Sequence, residues 1–119
     1  MSRRLREFIK TEDENLYKQN GGGIVIIDIN VSNYYKVTLD QNLTVTFVPG
    51  TPNQINDYVI ELVNAGSYAI TWDTPTQIKW VQVDGTMQNA PNTSFNSDGT
   101  SDFVLLFESD GNLYGKVLR

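Results

Sequence analysis

Polar and apolar residues alternate in short runs over most of the chain after residue 24. In NLTVTFV, Leu43, Val45 and Phe47 share one side and the threonines between them share the other. This period of two is typical of a β-strand with one buried face. Similar runs occur throughout the rest of the chain: GIVIIDI, YYKVTLD, DYVIELV, YAITW, QIKWVQV, SDFVLLFE and NLYGKVL. Roughly seven to nine short strands at such spacing predict an all-β domain, a small antiparallel β-sandwich or jelly roll.

The segments between these runs are rich in turn-forming residues. Asn64–Ser67 is predicted to form a hairpin turn into YAITW, and Ser109-Asp110-Gly111 a second hairpin near the C-terminus. Residues 84–100 are rich in Asn, Pro, Gly, Ser and Thr. They predict a long excursion with one short strand near Phe95.

Three consecutive glycines, Gly21, Gly22 and Gly23, divide the chain into two parts. Because glycine loses the most backbone entropy on ordering, this run predicts a hinge. Residues 1–23 are therefore interpreted as an N-terminal docking arm with a glycine hinge, and residues 24–119 as a β-sandwich oligomerisation domain. The arm would be extended or a short helix that orders on docking; the alternative is a disordered leader.

The charge of the chain is unevenly distributed. The net charge is −5, but residues 1–10 carry four basic side chains and one acidic one, a net +3. Residues 21–119 carry four basic and ten acidic side chains, a net −6. The body should repel nucleic acid, whereas the arm is suited to an acidic surface. The candidate docking residues of the arm are Arg3, Arg4, Arg6, Phe8, Ile9 and Lys10.

The composition excludes several kinds of chemistry. The chain has no cysteine and no histidine, so disulfides, thiolate metal sites and histidine general bases are absent. Asp73, Asp84, Glu108 and Asp110 lie at predicted strand ends or turns, where carboxylates are favoured for backbone reasons. We therefore expect a non-enzymatic protein without a cofactor. Insertion into a membrane is not expected, because no apolar run of about 18 residues is present.

A weak candidate for a metal site lies in NSDGTSD. Asp98 and Asp102 flank hydroxyl residues there, and oxygen ligands suit Ca²⁺. The order of ligands differs from that of an EF-hand loop, and Asp-Gly turns are common.

The two tryptophans lie eight residues apart on either side of a proline-containing corner. Trp72 alternates in phase with Ile70, and Trp80 with Ile78, so each tryptophan lies on the apolar face of its predicted strand. A place in the core or an interface is favoured over an exposed carbohydrate-stacking platform. Trp72, Trp80 and Tyr114 are accordingly assigned to the core and its corner.

Some predicted strands are apolar on both faces. In SDFVLLFE the phenylalanines and Leu105 fill one face, yet Val104 and Leu106 occupy the other. In DYVIELV, Val59 and Val63 lie opposite the predicted core face. A body of this size has too little mass to cover both faces, so the second is predicted to be buried between subunits. The alternative is that residues 84–100 fold over it. The predicted oligomer interface consists of Val59, Val63, Val104 and Leu106.

The order of these patterns resembles small β-modules of bacteriophage virion proteins: head fibres, head decoration proteins and tail-fibre segments. The resemblance lies in YYKVTLDQNLTVTF, in YVIELVNAGSYAITWDTPTQIKW and in SDGTSDFVLLFESDGNLYGKVL. It covers about residues 28–119, with the Ile-Thr-Trp and Ile-Lys-Trp pieces and the closing Asp-Gly-Asn-Leu-Tyr-Gly as its most specific parts. Asp73 departs from the pattern, since proline is frequent at that position.

The resemblance implies a homotrimeric virion protein made in the host bacterial cytoplasm. The arm would bind the major capsid protein or another virion protein, and no catalytic residues carry over. Two interpretations agree with the resemblance: a head decoration or short head-fibre protein, and a tail-fibre receptor-binding or carbohydrate-binding module that contacts a host-surface glycan. A third, independent of the resemblance, is an accessory domain of a larger enzyme complex.

Overall fold

The computed structural model describes residues 16–51, 54–91 and 94–118, and this part of the chain is almost entirely β-structure. The all-β prediction is confirmed. A single turn of 3₁₀ helix lies at Ala65–Ser67. The eight strands are β1 Leu16–Ile27, β2 Tyr34–Phe47, β3 Ile55–Val63, β4 Ile70–Asp73, β5 Lys79–Val81, β6 Met87–Gln88, β7 Ser101–Ser109 and β8 Asn112–Leu118.

The strands form one mixed sheet in the order β1-β2-β3-β7-β8-β5-β6, with β4 paired to β2. The predicted sandwich was expected to be antiparallel, but only β3–β7, β7–β8 and β5–β6 pair in that way. The pairs β1–β2, β2–β3, β2–β4 and β5–β8 are parallel. The sheet is mixed because consecutive strands in the first half of the chain stack in the same direction instead of forming hairpins.

Long strands that fold back on themselves produce the two layers. The first part of β2, Tyr34–Thr38, pairs with β3, and the second part, Leu43–Thr46, pairs with β4. Residues 40–42 between these parts are exposed. The hydroxyl of Tyr35 donates to the Asp28 carbonyl and accepts from the Asp28 amide, both at 2.8 Å, so the start of β2 lies beside the end of β1. β1 and β2 are therefore stacked arches, each with one segment in each layer.

The three glycines are part of β1, and the prediction of a hinge between an arm and a separate domain is wrong. Gly21 pairs with Leu39 and Gly23 with Leu43, and the register shifts between them. Their φ angles of 105°, 90° and 86° lie in the region that favours glycine. A Cβ on Gly22 would lie 3.0 Å from the Gln41 carbonyl oxygen. Glycine is needed because the corner of β1 packs tightly on the corner of β2, and β1 crosses the predicted domain boundary.

The segment Asn64–Ser67 also differs from the prediction. Asn64 has a left-handed φ of 64°, but β3 and β4 do not pair across it. It is the corner of a third arch, because β3 and β4 each pair with a different half of β2. The predicted hairpin at Ser109-Asp110-Gly111 does form, with Ser109 paired to Asn112.

The core lies between the layers and follows the alternation of the sequence in β2 and β3. Leu43, Val45 and Phe47 are buried, as the pattern predicts. The other fully buried large side chains come from both layers: Val25, Ile27, Tyr35, Val37, Tyr58, Ile60, Leu62, Ile78, Trp80 and Leu106.

The long segment before β7 is attached to this core. The strand in this segment is Met87–Gln88, and the predicted strand near Phe95 does not form. The side chain of Phe95 packs against the core instead. The Gly66 amide donates to the Asn96 carbonyl at 2.9 Å. The amide and the side chain of Asn96 both donate to Asp102, on the core face of β7. The described residues 94–97 thus close one edge of the core, and these contacts do not place them over the second face of β3 and β7.

Candidate functional site

The outward surface of β3, β7 and β8 is rich in apolar side chains. We call it the outer apolar face. Phe107 is 40% exposed and Leu118 is 42% exposed, and the others are half-buried against their neighbours. Cross-strand register brings them side by side: Val59 lies opposite Leu105, and Phe103 opposite Leu118. The members of the face are Val59, Val63, Phe103, Leu105, Phe107, Tyr114 and Leu118.

The two faces of β7 are the reverse of the prediction. Val104 and Leu106 are 0% and 2% exposed and lie in the core of the single chain. They are therefore corrected from interface to core residues, and Phe103 and Leu105 take their place on the outer apolar face. Both faces of β7 are apolar, so alternation could not decide which one turns inward.

Val59 and Val63 lie where the sequence placed them, opposite the core face of β3. Their neighbours on that face were not identified from the sequence. Val59 itself carries the information. Once Val59 is assigned to the outward side of β3, its partner Leu105 must lie on the outward side of β7.

A polar cluster is embedded beside the outer apolar face. Glu61 accepts hydrogen bonds from the hydroxyls of Tyr34 at 2.9 Å and Ser101 at 2.6 Å, and its carboxylate lies 3.5 Å from the Lys36 Nζ. Burial alone would raise the pKa of Glu61. The bonds from Ser101 and Tyr34 and the charge of Lys36 outweigh burial and hold this pKa below its ordinary value. The carboxylate of Glu61 is therefore already partnered within the chain.

Tyr114 belongs to the outer apolar face rather than to the core or corner. Its ring centroid lies 6.3 Å from that of Phe107, and the Lys79 Nζ lies 5.6 Å from its ring centroid. The position opposite Phe107 in β8 faces away from the core. The core position next to it is taken by Gly115, whose missing side chain leaves room for the ring of Trp80.

The two tryptophans contact each other across the core edge. Trp80 is 1% exposed, whereas Trp72 is half-buried, and their ring centroids lie 5.0 Å apart in an edge-to-face arrangement. Trp80 is a core residue. Trp72 packs against that core while keeping part of its ring accessible.

A cavity of about 370 Å³ lies at one end of the sandwich. We call it the end cavity. Residues Gly50, Thr51 and Gln54 form one side, and Glu108 and Asp110 the other. Glu108 is 6% exposed, and it accepts hydrogen bonds from the Gly50 amide, the Asn56 side chain and the Tyr58 hydroxyl. Burial, followed by the negative charge of Glu108, raises the pKa of Tyr58. The carboxylate thus fixes the loop after β2 to the end of β7.

The other candidate carboxylates are not gathered into one site. Asp84 is exposed and accepts from the amide and hydroxyl of Thr86, and these bonds lower its pKa. Asp73 is exposed at the end of β4, 3.4 Å from the Thr46 hydroxyl. Of the four carboxylates, the structure brings together only Glu108 and Asp110, at the end cavity.

The calcium candidate separates into two unrelated positions. Asp102 is 0% exposed and its carboxylate is bonded to Asn96, whereas Asp98 is exposed and accepts from the Thr100 amide at 3.0 Å. Within the described ranges, no group of three or more acidic residues is arranged to hold a metal ion.

Sequence reasoning missed the structural use of two buried carboxylates. Asp102 and Glu108 lie on the core face of β7 and tie loops to it. The signal in the sequence is that both carboxylates alternate in phase with Val104 and Leu106. Charged residues at strand ends usually face solvent, so this phase alone does not predict their burial.

The arm residues Arg3, Arg4, Arg6, Phe8, Ile9 and Lys10 lie outside the described residues. Comparisons with protein-family models, curated proteins and solved structures gave no match to this chain. Among the residues described, no helix has the length and apolar character needed to cross a membrane.

Proposed function

We propose that this protein is a non-enzymatic structural protein that assembles as a homotrimer. The outer apolar face is the observation that carries this proposal. It spans three adjacent strands, contains large side chains such as Phe107 and Leu118, and lies on the side of the sheet away from the core. Contiguous apolar surface of this kind marks interaction sites on soluble proteins.

The polar neighbours of the face favour burial against another protein. Glu61 is held by Tyr34, Ser101 and Lys36, so covering this part of the face does not leave the Glu61 carboxylate without a partner. A buried charge is costly mainly when its partners are missing. A second and third copy of the chain are the partners we propose. Closed cyclic association is the usual way in which identical chains bury a shared surface, and the number three follows from the resemblance to phage β-modules.

The resemblance of the sequence to phage β-modules supports a place in the virion. We propose a head decoration or short head-fibre protein, attached to the capsid through its basic N-terminal residues. Arg3, Arg4 and Arg6 would bind an acidic surface on the major capsid protein or another virion protein. Replacing all three with glutamate is expected to abolish co-sedimentation with particles while leaving the oligomer mass unchanged.

The mass of the purified protein in solution tests the trimer. The chain mass is 13.4 kDa, and we expect sedimentation equilibrium to give three times that value. Leu105→Asp should give a folded monomer, because the charge lies on the outer apolar face. Val83→Asp is the matched control, since Val83 is 91% exposed in a turn and should leave the mass unchanged. A monomeric wild-type chain would refute the proposal.

A second candidate function rests on Trp72. Its half-buried ring on β4 leaves an accessible edge that a sugar could contact, as in a tail-fibre receptor-binding or carbohydrate-binding module. Quenching of tryptophan fluorescence by glycans, lost in Trp72→Phe, would favour this function. Emission unaffected by glycans would remove it.

A further inference from the structure

The basic side chains of residues 21–119 are gathered on one surface of the protein. There are only four of them, against ten carboxylates. Three are lysines on the outward side of the sheet, in phase with the outer apolar face: Lys36 on β2, Lys79 on β5 and Lys116 on β8. On β3, β7 and β8 the outward carboxylates are Asp57 and Glu61. The charge around the outer apolar face is therefore nearly balanced, although residues 21–119 as a whole are strongly acidic.

The charges that remain after internal pairing lie on opposite sides of the face. Glu61 is already paired with Lys36. One row of cross-strand neighbours contains, in order, Asp57, Phe107, Tyr114 and Lys79. Lys116 lies two residues after Tyr114 on the same side of β8. The face thus has one carboxylate on its β3 side and two ammonium groups on its β8 side. We call Lys79 and Lys116 the lysine rim.

These three charges have no counter-charge close to them in the single chain. Asp57 and both lysines of the rim are exposed, and among the residues that the structure describes they form no ion pair. β3 and β5 are three strand spacings apart, about 14 Å, so Asp57 does not reach Lys79 of its own chain. The Lys79 Nζ lies 5.6 Å from the Tyr114 ring centroid and 3.4 Å from the Asn112 side-chain oxygen, and both of these groups are neutral. A partner that covers the face without supplying a carboxylate would leave the ammonium groups unpaired at the interface, which is costly.

We infer that the outer apolar face is closed head to tail, with Asp57 of one copy lying against the lysine rim of the next copy. The inference rests on the proposed self-association through this face. In a cyclic trimer each contact is heterologous, so one side of the face in each copy meets the other side in its neighbour. Opposite charges on the two sides favour that arrangement, whereas contact between two equivalent sides would place lysine against lysine.

The charge of the whole chain makes this local balance necessary. Residues 21–119 carry a net charge of −6, so copies repel one another at a distance. The outer apolar face is where that repulsion is weakest, because three of the four basic side chains lie around it. The apolar side chains supply the attraction, and Asp57 with the lysine rim sets the orientation of neighbouring copies.

Charge reversal tests the orientation. Asp57→Lys places a third positive charge among the lysines, and we expect the concentration at which half of the chains are assembled to rise at least about tenfold at low salt. Asp84→Lys is the matched control, because Asp84 is exposed in the turn after β5 and the change in net charge is the same. The control should assemble like the wild type or slightly better, since it only reduces the overall repulsion. Asp57→Asn, which keeps the size of the side chain, should weaken assembly in the same direction but less.

Restoring the charge pair in reverse gives the decisive comparison. Asp57→Lys combined with Lys79→Glu and Lys116→Glu should assemble to within about threefold of the wild type, because unlike charges again face each other. The difference between Asp57→Lys and the wild type should also narrow between about 0.01 M and 1 M salt, as the Debye length falls from about 30 Å to 3 Å. Sedimentation equilibrium measures all of these proteins, and near-ultraviolet circular dichroism checks that each is folded.

Two results would overturn the inference while leaving the trimer in place. In one, the wild type is trimeric and Asp57→Lys assembles as well as Asp84→Lys. In the other, the triple reversal stays as dissociated as Asp57→Lys alone. A monomeric wild type would overturn both the trimer and this orientation, so the two failures are distinguishable by the mass of the wild-type protein.

Discussion

The indole rings of Trp72 and Trp80 meet edge to face, with centroids 5.0 Å apart and planes at 64°. Trp80 lies within the core, and Trp72 closes the core from β4. This contact joins the arch formed by β3 and β4 to β5, the strand that follows the corner at Pro75. Two residues that are close in sequence thus connect parts of the sheet that do not pair.

Trp80→Ala is expected to lower the free energy of unfolding by about 3–5 kcal/mol, because it removes a fully buried ring. Trp72→Ala should cost less, since its ring is half-buried. Denaturant unfolding followed by circular dichroism measures both. Val83→Ala serves as the control, with a change within about 0.5 kcal/mol. A Trp80 variant as stable as this control would contradict the core assignment.

Gly22→Ala separates a strand corner from a hinge. Gly22 has φ 90°, and an added Cβ would lie 3.0 Å from the Gln41 carbonyl oxygen. Gly99, with φ 87° and nothing within 4 Å, is the matched control for backbone strain alone. Gly99→Ala should cost about 1–2 kcal/mol, and Gly22→Ala should cost more because Gln41 must also move. Thermal unfolding compares the two; a freely tolerated Gly22→Ala would restore the hinge interpretation.

Neighbouring leucines of β7 should respond in opposite ways. Leu106→Ala removes a side chain that is 2% exposed and should cost about 2–5 kcal/mol in unfolding free energy. Leu105→Ala should lower the free energy of unfolding by less than Leu106→Ala does. It should weaken self-association, because Leu105 lies on the outer apolar face. Unfolding and sedimentation measured on both variants give the comparison. The reverse pattern would return Leu106 to the interface.

The sequence predicted the strands well and their partners poorly. Alternation placed Leu43, Val45 and Phe47 in the core because the threonines between them left a single apolar face. The same rule fails for β7, where Phe103 and Leu106 belong to opposite faces that both carry large apolar side chains. Which face turns inward depends on pairing with β3, a relationship between residues about forty positions apart.

The corners were misread for a related reason. Glycine runs are found in linkers and in tight corners alike, and composition alone does not separate them. The contact between Gly22 and Gln41 in the folded chain is what distinguishes a tight corner from a linker here. The roles of Asp102 and Glu108 are likewise not given by their own strand, because their partners, Asn96 for Asp102 and Gly50, Asn56 and Tyr58 for Glu108, come from other parts of the chain.

Glu108→Ala should detach the loop after β2. It leaves the Gly50 amide, the Asn56 side chain and the Tyr58 hydroxyl without this acceptor, and the buried Tyr58 hydroxyl left unsatisfied costs about 1–3 kcal/mol. Tyr58→Phe removes a single bond and should cost about 0.5–1.5 kcal/mol. Hydrogen exchange at the Gly50 amide should accelerate strongly in Glu108→Ala. Unchanged exchange would show that the loop is held by other contacts.

Glu61 should make stability depend on acid pH. Its pKa in the folded protein lies below the ordinary value of 4.5, so the carboxylate contributes stability above pH 4.5. That contribution is lost as the pH falls from 4.5 through the lower folded pKa. Melting temperatures of the wild type and of Glu61→Gln, compared at pH 6 and in this acid range, should converge on acidification. If the difference in melting temperature between the two proteins stays constant with pH, the Glu61 cluster is not the source of the pH dependence.

The stacked arches have a consequence for how the chain folds. The corners of β1 and β2 lie about twenty residues apart and can meet early, and the β7–β8 hairpin can form by itself. Joining them requires β3 to pair with β7 across the long segment 64–100. This step is slow because the entropy of closing the loop is lost before the stabilising contacts form. We therefore expect docking of β7 onto β3 to limit the rate of folding, and substitutions at Ile60 or Val104 to slow it more than substitutions in β1.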